Sequence, residues 1–274
     1  MGPITRAQGH ERAQGHERAQ PHERTQPHER AQPHVRAQPH EIAAEPDRQS
    51  RAGFLNVAGV SLVADHDGAL FWPEERILAV SDLHLEKGSA FAERGVLLPP
   101  YDTAATLKRL ARVIARFDPR TVIALGDSFH DDGGPARLMD QDQVELAVLQ
   151  HGREWIWIAG NHDSKQITGL GGISATALAI GGLIFRHEPD QMTRDGEIAG
   201  HLHPVARING RGRVVRRRCF ACDARRMVMP AFGSYAGGLN VRDRAFTGLF
   251  GGLSYTAHVL GAGRIYAVSA KRCV

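Results

Sequence analysis

The chain has 274 residues, 42% hydrophobic and 23% charged, with a formal net charge of +4, ordinary figures for a folded globular protein. Three cysteines exclude a disulfide scaffold and point to a reducing compartment, and no apolar run follows a basic start, so no secretory signal is expected. Thirty of the 34 basic residues are arginine; the small positive excess permits a nucleic-acid partner without arguing for one.

Residues 6–41 are six copies of a hexapeptide, Arg-Ala-Gln-Gly-His-Glu or its Pro variants, with histidines at 10, 16, 22, 28, 34 and 40. A period of six matches neither helix nor heptad, and almost nothing apolar is present to offset the ordering entropy. Residues 1–53 are therefore expected to be a disordered tail and linker, and residues 54–274 one domain. Within that domain Phe54–Ala64 reads as a hairpin turning at Ala58-Gly59, followed by strands at Leu70–Trp72 and Arg76–Ser81. Asp102 is expected to cap a helix over Thr103–Phe117, with Ala104, Leu107, Leu110, Ala111 and Ile114 on one face. Strands at Thr121–Leu125 and Glu154–Ala159 flank a short helix over Gln141–Gln150. Beyond residue 170 the reading is strand after strand: Ile173–Ile180, Leu183–His187, Glu197–Gly200, Arg213–Cys219, Met227–Ala231 and Ile265–Ser269. Two stretches, Ile167–Phe185 and Ala245–Gly263, each run 19 residues without a charged side chain, near bilayer length. Their paired glycines read as turns between short strands, and no membrane span is expected. Helices between strands early and strands alone late predict an α/β fold of two face-packed sheets with helices outside.

The polar residues cluster at strand ends. The first strand runs into Ser81-Asp82-Leu83-His84, the next into Gly126-Asp127-Ser128-Phe129-His130, and the third into Gly160-Asn161-His162-Asp163. Later come His187 and Gly200-His201-Leu202-His203. Asp-x-His and His-x-His put two ligands on one side of an extended segment. Oxygen and imidazole donors without thiolate suit Mn, Fe or Zn rather than a structural thiolate site.

Taken in order, these five pieces resemble the calcineurin-like metallophosphoesterase superfamily. The resemblance implies a four-layer α/β/β/α sandwich holding two divalent ions, Mn²⁺ foremost, about 3.5–4 Å apart for in-line phosphoryl displacement by metal-bound hydroxide. It implies that Asp82, His84 and His203 hold one ion, that Asn161, His187 and His201 hold the other, and that Asp127 bridges them. His162 matches the histidine that approaches the leaving group, with Asp163 orienting it. Gly126-Asp-Ser-Phe-His130 looks like the motif of the double-strand-break repair nucleases, whose histidine contacts the scissile DNA phosphate.

A narrower resemblance rests on Ala69-Leu-Phe-Trp-Pro, Ser81-Asp-Leu-His-Leu-Glu-Lys-Gly-Ser, Leu97-Leu-Pro-Pro-Tyr-Asp-Thr, Trp155-Ile-Trp-Ile-Ala-Gly-Asn-His-Asp, Arg186-His-Glu-Pro, Gly200-His-Leu-His-Pro and Pro230-Ala-Phe-Gly-Ser-Tyr-Ala-Gly-Gly-Leu-Asn. These are similar to the DNA ligase-associated metallophosphoesterases, bacterial proteins described as DNA damage response endonucleases and encoded beside a helicase, a ligase and a nuclease. The resemblance implies a cytoplasmic DNA-repair nuclease with DNA, and those repair proteins, as partners. The repeat tail departs from the family pattern. Residues 207–226 hold eight arginines against the single acid Asp223; Arg216, Arg217 and Arg218 are candidate backbone contacts, although alternation sets Arg217 opposite the other two. Tyr235 is a candidate base-stacking residue, and Glu86 and Lys87 flank the first ligand loop. Cys219-x-x-Cys222 reads as two buried thiols. A phosphomonoesterase or nucleotide pyrophosphohydrolase on the same site is the competing reading, and an inactive repair scaffold the third.

Overall fold

The computed structural model describes residues 53–163, 167–192, 195–210 and 212–274. The repeat tail and linker expected over 1–53, Gly53 apart, lie outside the described residues, and so does Arg211. The chain opens with the expected hairpin, β1 (Gly53–Val57) and β2 (Val60–Ala64), turning at Ala58 and Gly59 with positive φ at both. β3 (Leu70–Trp72) and β4 (Ile77–Val80) continue antiparallel; β5 (Thr121–Leu125), β6 (Glu154–Ile158) and β7 (Ile173–Ala175) then add in parallel, giving seven strands in chain order. Helices α1 (Lys87–Glu93) and α2 (Asp102–Phe117) lead from β4 to β5, and α3 (Gly134–Arg137) and α4 (Asp140–Gln150) from β5 to β6.

The second sheet comprises β8 (Ala177–Ile180), β9 (Leu183–Arg186), β10 (Glu197–Ala199), β11 (Pro204–Gly210), β12 (Arg213–Cys222), β13 (Arg226–Val228), β14 (Leu239–Asn240), β15 (Thr256–Leu260) and β16 (Ile265–Ser269), with α5 (Arg244–Leu249) before β15. Its order is β14-β11-β12-β13-β10-β9-β8, and β15 pairs with both β12 and β16.

Alternation along the strands builds the layers. In β4 and β5, Ile77, Ala79, Ile123 and Leu125 face the second sheet, where they meet Leu183, Phe185, Ile198, Phe220 and Met227. Leu78, Val80, Val122 and Ala124 face the other way, onto Leu107, Leu110 and Val113 of α2 and Leu146 and Leu149 of α4. Both faces of these strands are covered, so their sequences are continuously apolar. Beyond the second sheet Cys219, Ala221, Ala257 and Val259 pack on Phe246 and Leu249 of α5. The result is the expected α/β/β/α sandwich. All three cysteines are buried and unpaired.

Three local readings are corrected. The run Ile173–Ile180 is two strands in different sheets, β7 beside β6 and β8 beside β9, so the chain crosses the sandwich at Thr176. Asp102 begins α2 instead of capping it, because its carboxylate accepts the N–H of Gly88 at 3.1 Å and so ties α1 to α2. Ala104 is exposed; Thr103, Thr106 and Val113 complete the buried face. Among the described residues no helix is long and apolar enough to cross a membrane.

Strand direction positions the site. β4, β5 and β6 are mutually parallel, as are β9, β10 and β13. Their carboxyl ends carry the loops with Asp82, Asp127, Asn161, His187 and His201, and it is outside such ends that ligands collect in open α/β sheets.

Candidate metal centre

Each ligand loop is bent sharply. Asp82, His84, Asp127, His201 and His203 all have φ between 44° and 67°, the left-handed region that non-glycine residues seldom occupy. The preceding glycines let the loops close on one another. A Cβ at Gly160 would strike the amide and carboxylate of Asp127, and one at Gly200 would strike Ser81 Oγ and Asp82 Oδ2. Ser81 in turn donates its hydroxyl to Asp82 Oδ2.

Two groups of donors result. Asp82, His84 and His203 form one, and Asp127, His187 and His201 the other, each with ligand atoms within 4.8 Å of one another. In the first, His84 Nε2 faces His203 Nε2 at 3.3 Å and His203 Nε2 lies 3.2 Å from Asp82 Oδ1. In the second, His187 Nε2 lies 3.4 Å from Asp127 Oδ1 and 3.2 Å from His201 Nδ1. His187 Nδ1 is 2.9 Å from the Leu125 carbonyl; a carbonyl can only accept, so Nδ1 carries a proton, and a cation at Nε2 would take the place of the proton that Nε2 shares with Asp127. The groups adjoin, since His187 Nδ1 is also 3.8 Å from Asp82 Oδ1.

Burial and charge pull these groups in different directions. Burial, with the His203 and His162 charges, takes His84 down to about 4 despite Asp82. Burial alone would lower His187, but the Asp127 hydrogen bond and the two carboxylate charges raise it to about 9. Burial likewise opposes ionisation of Asp127, and the hydrogen bond and charge of His187 outweigh it and hold that carboxyl well below its usual range. Four imidazoles and two carboxylates converging on two small groups are a donor set that suits bound cations. The buried His84 Nδ1 has no partner among the described residues, so it is the facing Nε2 that is committed to the cluster. Asn161, exposed, follows at the end of β6.

His162 stands over the second group. Its N–H donates to Asp127 Oδ1 at 2.9 Å, and its half-exposed ring puts Nε2 3.9 Å from Asp127 Oδ2. His130 stacks on His162, with centroids 5.4 Å apart and planes at 19°, and on its other side meets Phe91 at 5.4 Å. His84 lies 6.0 Å from His130. Burial first, then the charges of Lys87 and His162, push His130 below its ordinary value. Asp163 does not reach the His162 ring expected of it. Its oxygens accept the N–H groups of Ser128 at 2.6 Å, Phe129 at 3.1 Å and Gly160 at 3.0 Å. Burial, reinforced by the Asp127 charge, raises it to about 6 even against those donors. Asp163 thus fixes the loop that carries Asp127 and His130.

The candidate substrate contacts separate. Arg218 is half-buried and donates to the carbonyls of Ala231 at 2.6 Å and Phe232 at 3.3 Å. Arg216 and Arg217 are exposed; Arg216 donates to the Gly238 carbonyl at 2.9 Å. Tyr235 donates its hydroxyl to the Pro99 carbonyl at 3.0 Å, while its own carbonyl accepts from Lys87 Nζ at 3.1 Å. The segment after β13, whose glycine-rich stretch 232–240 reads in the sequence as a loop bordering the site, backs the first ligand loop: Phe232 N–H donates to Ser81 O and Gly233 N–H to Asp82 O. The signal was Gly233, where a Cβ would strike the Leu83 carbonyl.

Residues 75–218, more than half of the chain and a span that includes every candidate ligand, match the family model described as calcineurin-like phosphoesterase. Among solved structures the chain is similar to the Pseudomonas putida nuclease MPE, at 26% identity and a TM-score of 0.61, over 79% of this chain and 100% of that one. The comparison with curated proteins returned no match.

Proposed function

The chain belongs to the calcineurin-like phosphoesterase family, a hydrolase family acting on phosphoester bonds, and we propose that within it this protein is a two-metal phosphodiesterase that cleaves DNA. The observation that carries the reading is His130. Its part-buried ring, stacked on His162 and 6.0 Å from His84, offers an imidazole N–H as hydrogen-bond donor to a phosphate that keeps its second ester substituent. The likeness to a nuclease supports the same choice. We further read it, from the motif resemblance, as a manganese-dependent endonuclease of bacterial cytoplasmic DNA repair, working with a ligase, a helicase and a nuclease.

Asp82, His84 and His203 would hold one ion and Asn161, His187 and His201 the other, with Asp127 between. When bound, two divalent ions supply positive charge to the phosphate oxygens and an acidified water as nucleophile. His162, half-exposed and aligned by Asp127, delivers a proton to the departing oxygen. His130, kept mainly neutral by burial and by Lys87, donates one hydrogen bond to a non-bridging oxygen without bringing a second full charge. Asp163 holds the 126–130 loop so that Asp127 and His130 keep their places.

Hydrolysis of bis-p-nitrophenyl phosphate against p-nitrophenyl phosphate in Mn²⁺ tests the reading. We expect diester preference, with turnover abolished in Asp127→Asn while the fold is kept. In His130→Gln the diester rate should fall about a hundredfold, the loss typical of one preorganised donor. Monoester preference indifferent to His130 would move the protein to the phosphatase branch. Undiminished turnover in Asp127→Asn would sink the two-metal assignment.

A further inference from the structure

β11 leaves the site directly after His203, and with β12 it forms a ribbon whose tip lies beyond both sheets' cores. Register fixes its faces. Val205 lies opposite Arg218, Arg207 opposite Arg216, and Asn209 opposite Val214. Alternation continues this face inward to Phe220, which is buried between the sheets. The other face carries Ala206 and Ile208, packed toward α5, with Arg217 and Arg213 opposite or beyond them.

The first face therefore runs from the core, past the active-site loops, into solvent. Arg218 is spent on the Ala231 and Phe232 carbonyls. Arg216 makes one contact, to Gly238 O, which aims it along the 236–238 loop. Arg207 and Arg216 are both exposed, and they are direct cross-strand neighbours. Like charges in that position repel, and among the described residues neither guanidinium has a carboxylate partner. A ribbon edge needs charge to guard it, but a single arginine on either strand would serve that end. Two on one face, unneutralised and in line with the metal loops, form a site for a polyanion. Arg207 is four residues beyond His203, about 13 Å along a strand, or about four base pairs of B-DNA at 3.4 Å each.

We propose that Arg207 and Arg216 carry the DNA backbone flanking the cleavage point, on the β11–β12 face that continues from the metal loops. The inference rests on the DNA reading above and deepens it: the catalytic loops take the scissile phosphate, and the ribbon holds the strand some four phosphates away. It also revises the candidate contacts, since Arg218 acts inside the protein and Arg217 points to the opposite face.

The test is binding of the full chain to a fluorescent duplex of about 20 base pairs, in Ca²⁺, as a function of salt. Each phosphate contact contributes about 0.9 to the slope of log affinity against log salt. Arg207→Gln/Arg216→Gln should lower that slope by about two units, and the Lys/Lys pair should restore it. Arg213→Gln, on the same ribbon but the other face, should leave the slope as it is. An unchanged slope in the double variant, or an equal fall in Arg213→Gln, overturns the ribbon assignment while DNA cleavage by the wild type leaves the nuclease reading standing. A wild type that neither binds nor cuts DNA yet hydrolyses p-nitrophenyl phosphate overturns both.

Discussion

Five of the nine described non-glycine residues with positive φ are candidate ligands. Each such conformation costs about 1–2 kcal/mol, so the surrounding packing must over-determine these loops, as it does at sites where geometry matters more than local stability. Away from the site one residue makes stability depend on pH in a way that can be isolated. His258 lies on the inter-sheet face of β15, opposite Phe220 and Ala267 and two residues from Leu260. Burial lowers it from its ordinary value to about 4. The folded chain therefore binds this proton less readily than the unfolded one, and the stabilising contribution is whole above about pH 6.5 and lost as pH falls toward 4. Allowing for the part of the ring that water reaches, the loss is about 2 kcal/mol. Urea titrations of wild type and His258→Gln between pH 7 and pH 4 should show a shallower acid limb in the variant by that amount. Parallel limbs would mean that His258 is hydrated.

At the scale of elements, the segment after β13 couples the two halves of the sandwich. Met229 N–H donates to Ala199 O in the second sheet, and Phe232 and Gly233 donate to the β4 loop of the first. Two guanidiniums hold it, Arg109 of α2 at 2.5 Å from the Phe232 carbonyl and Arg218 of β12. Burial and the neighbouring Arg109 charge lower Arg218 to about 10, and its position spans two carbonyls that no single-point donor can match. Arg218→Met should cost about 1–3 kcal/mol by leaving those carbonyls unpaired, and it should weaken Mn²⁺ binding measured by calorimetry. Lost stability with unaltered metal affinity would confine the loop to a structural role. This segment illustrates what the sequence withheld. The alternation of β12 was legible, and it set Arg217 apart from Arg216 and Arg218. The acceptors for Arg218 were not, because they come from a different element. β11 went unread because Pro204 argues against a strand, although Pro is tolerated as a strand's first residue. Ala245–Gly263 reads as short strands between glycines, and β15 is one of them, but the start of that stretch is the helix α5; β15's partners, β12 and β16, place it more than its own residues do. The crossing at Thr176 was invisible for a further reason: β7 and β8 share one apolar character and differ only in what they pair with. The candidate ligands were legible because Asp-x-His, Gly-Asn-His-Asp and His-x-His are local patterns. Asp163 misled because proximity in sequence to His162 suggested a partner, whereas its carboxylate turns to the backbone of another loop.

At the scale of the molecule, the candidate centre draws its donors from both sheets. Asp82, His84 and Asp127 leave the ends of β4 and β5, while His187, His201 and His203 leave β9 and β10. Each donor group mixes the two, with Asp82 and His84 meeting His203, and Asp127 meeting His187 and His201. Burial takes His84 down to about 4, which leaves its ring open to a cation where it meets His203 at 3.3 Å, and the His187–Asp127 pair is held by a proton that a metal would have to displace. A cation in either group would therefore cross-link the sandwich as well as complete a site. Because the ions bind the folded chain and find no assembled ligands in the unfolded one, they should raise its stability by about 2.7 kcal/mol at a hundredfold excess over the dissociation constant. Melting of residues 54–274 should rise with added Mn²⁺ and fall back with EDTA. The increment should shrink in Asp82→Asn and in His201→Gln alike, since each variant loosens one sheet's share of the link. A melting temperature blind to Mn²⁺ would show that the two sheets are held by their shared apolar core alone.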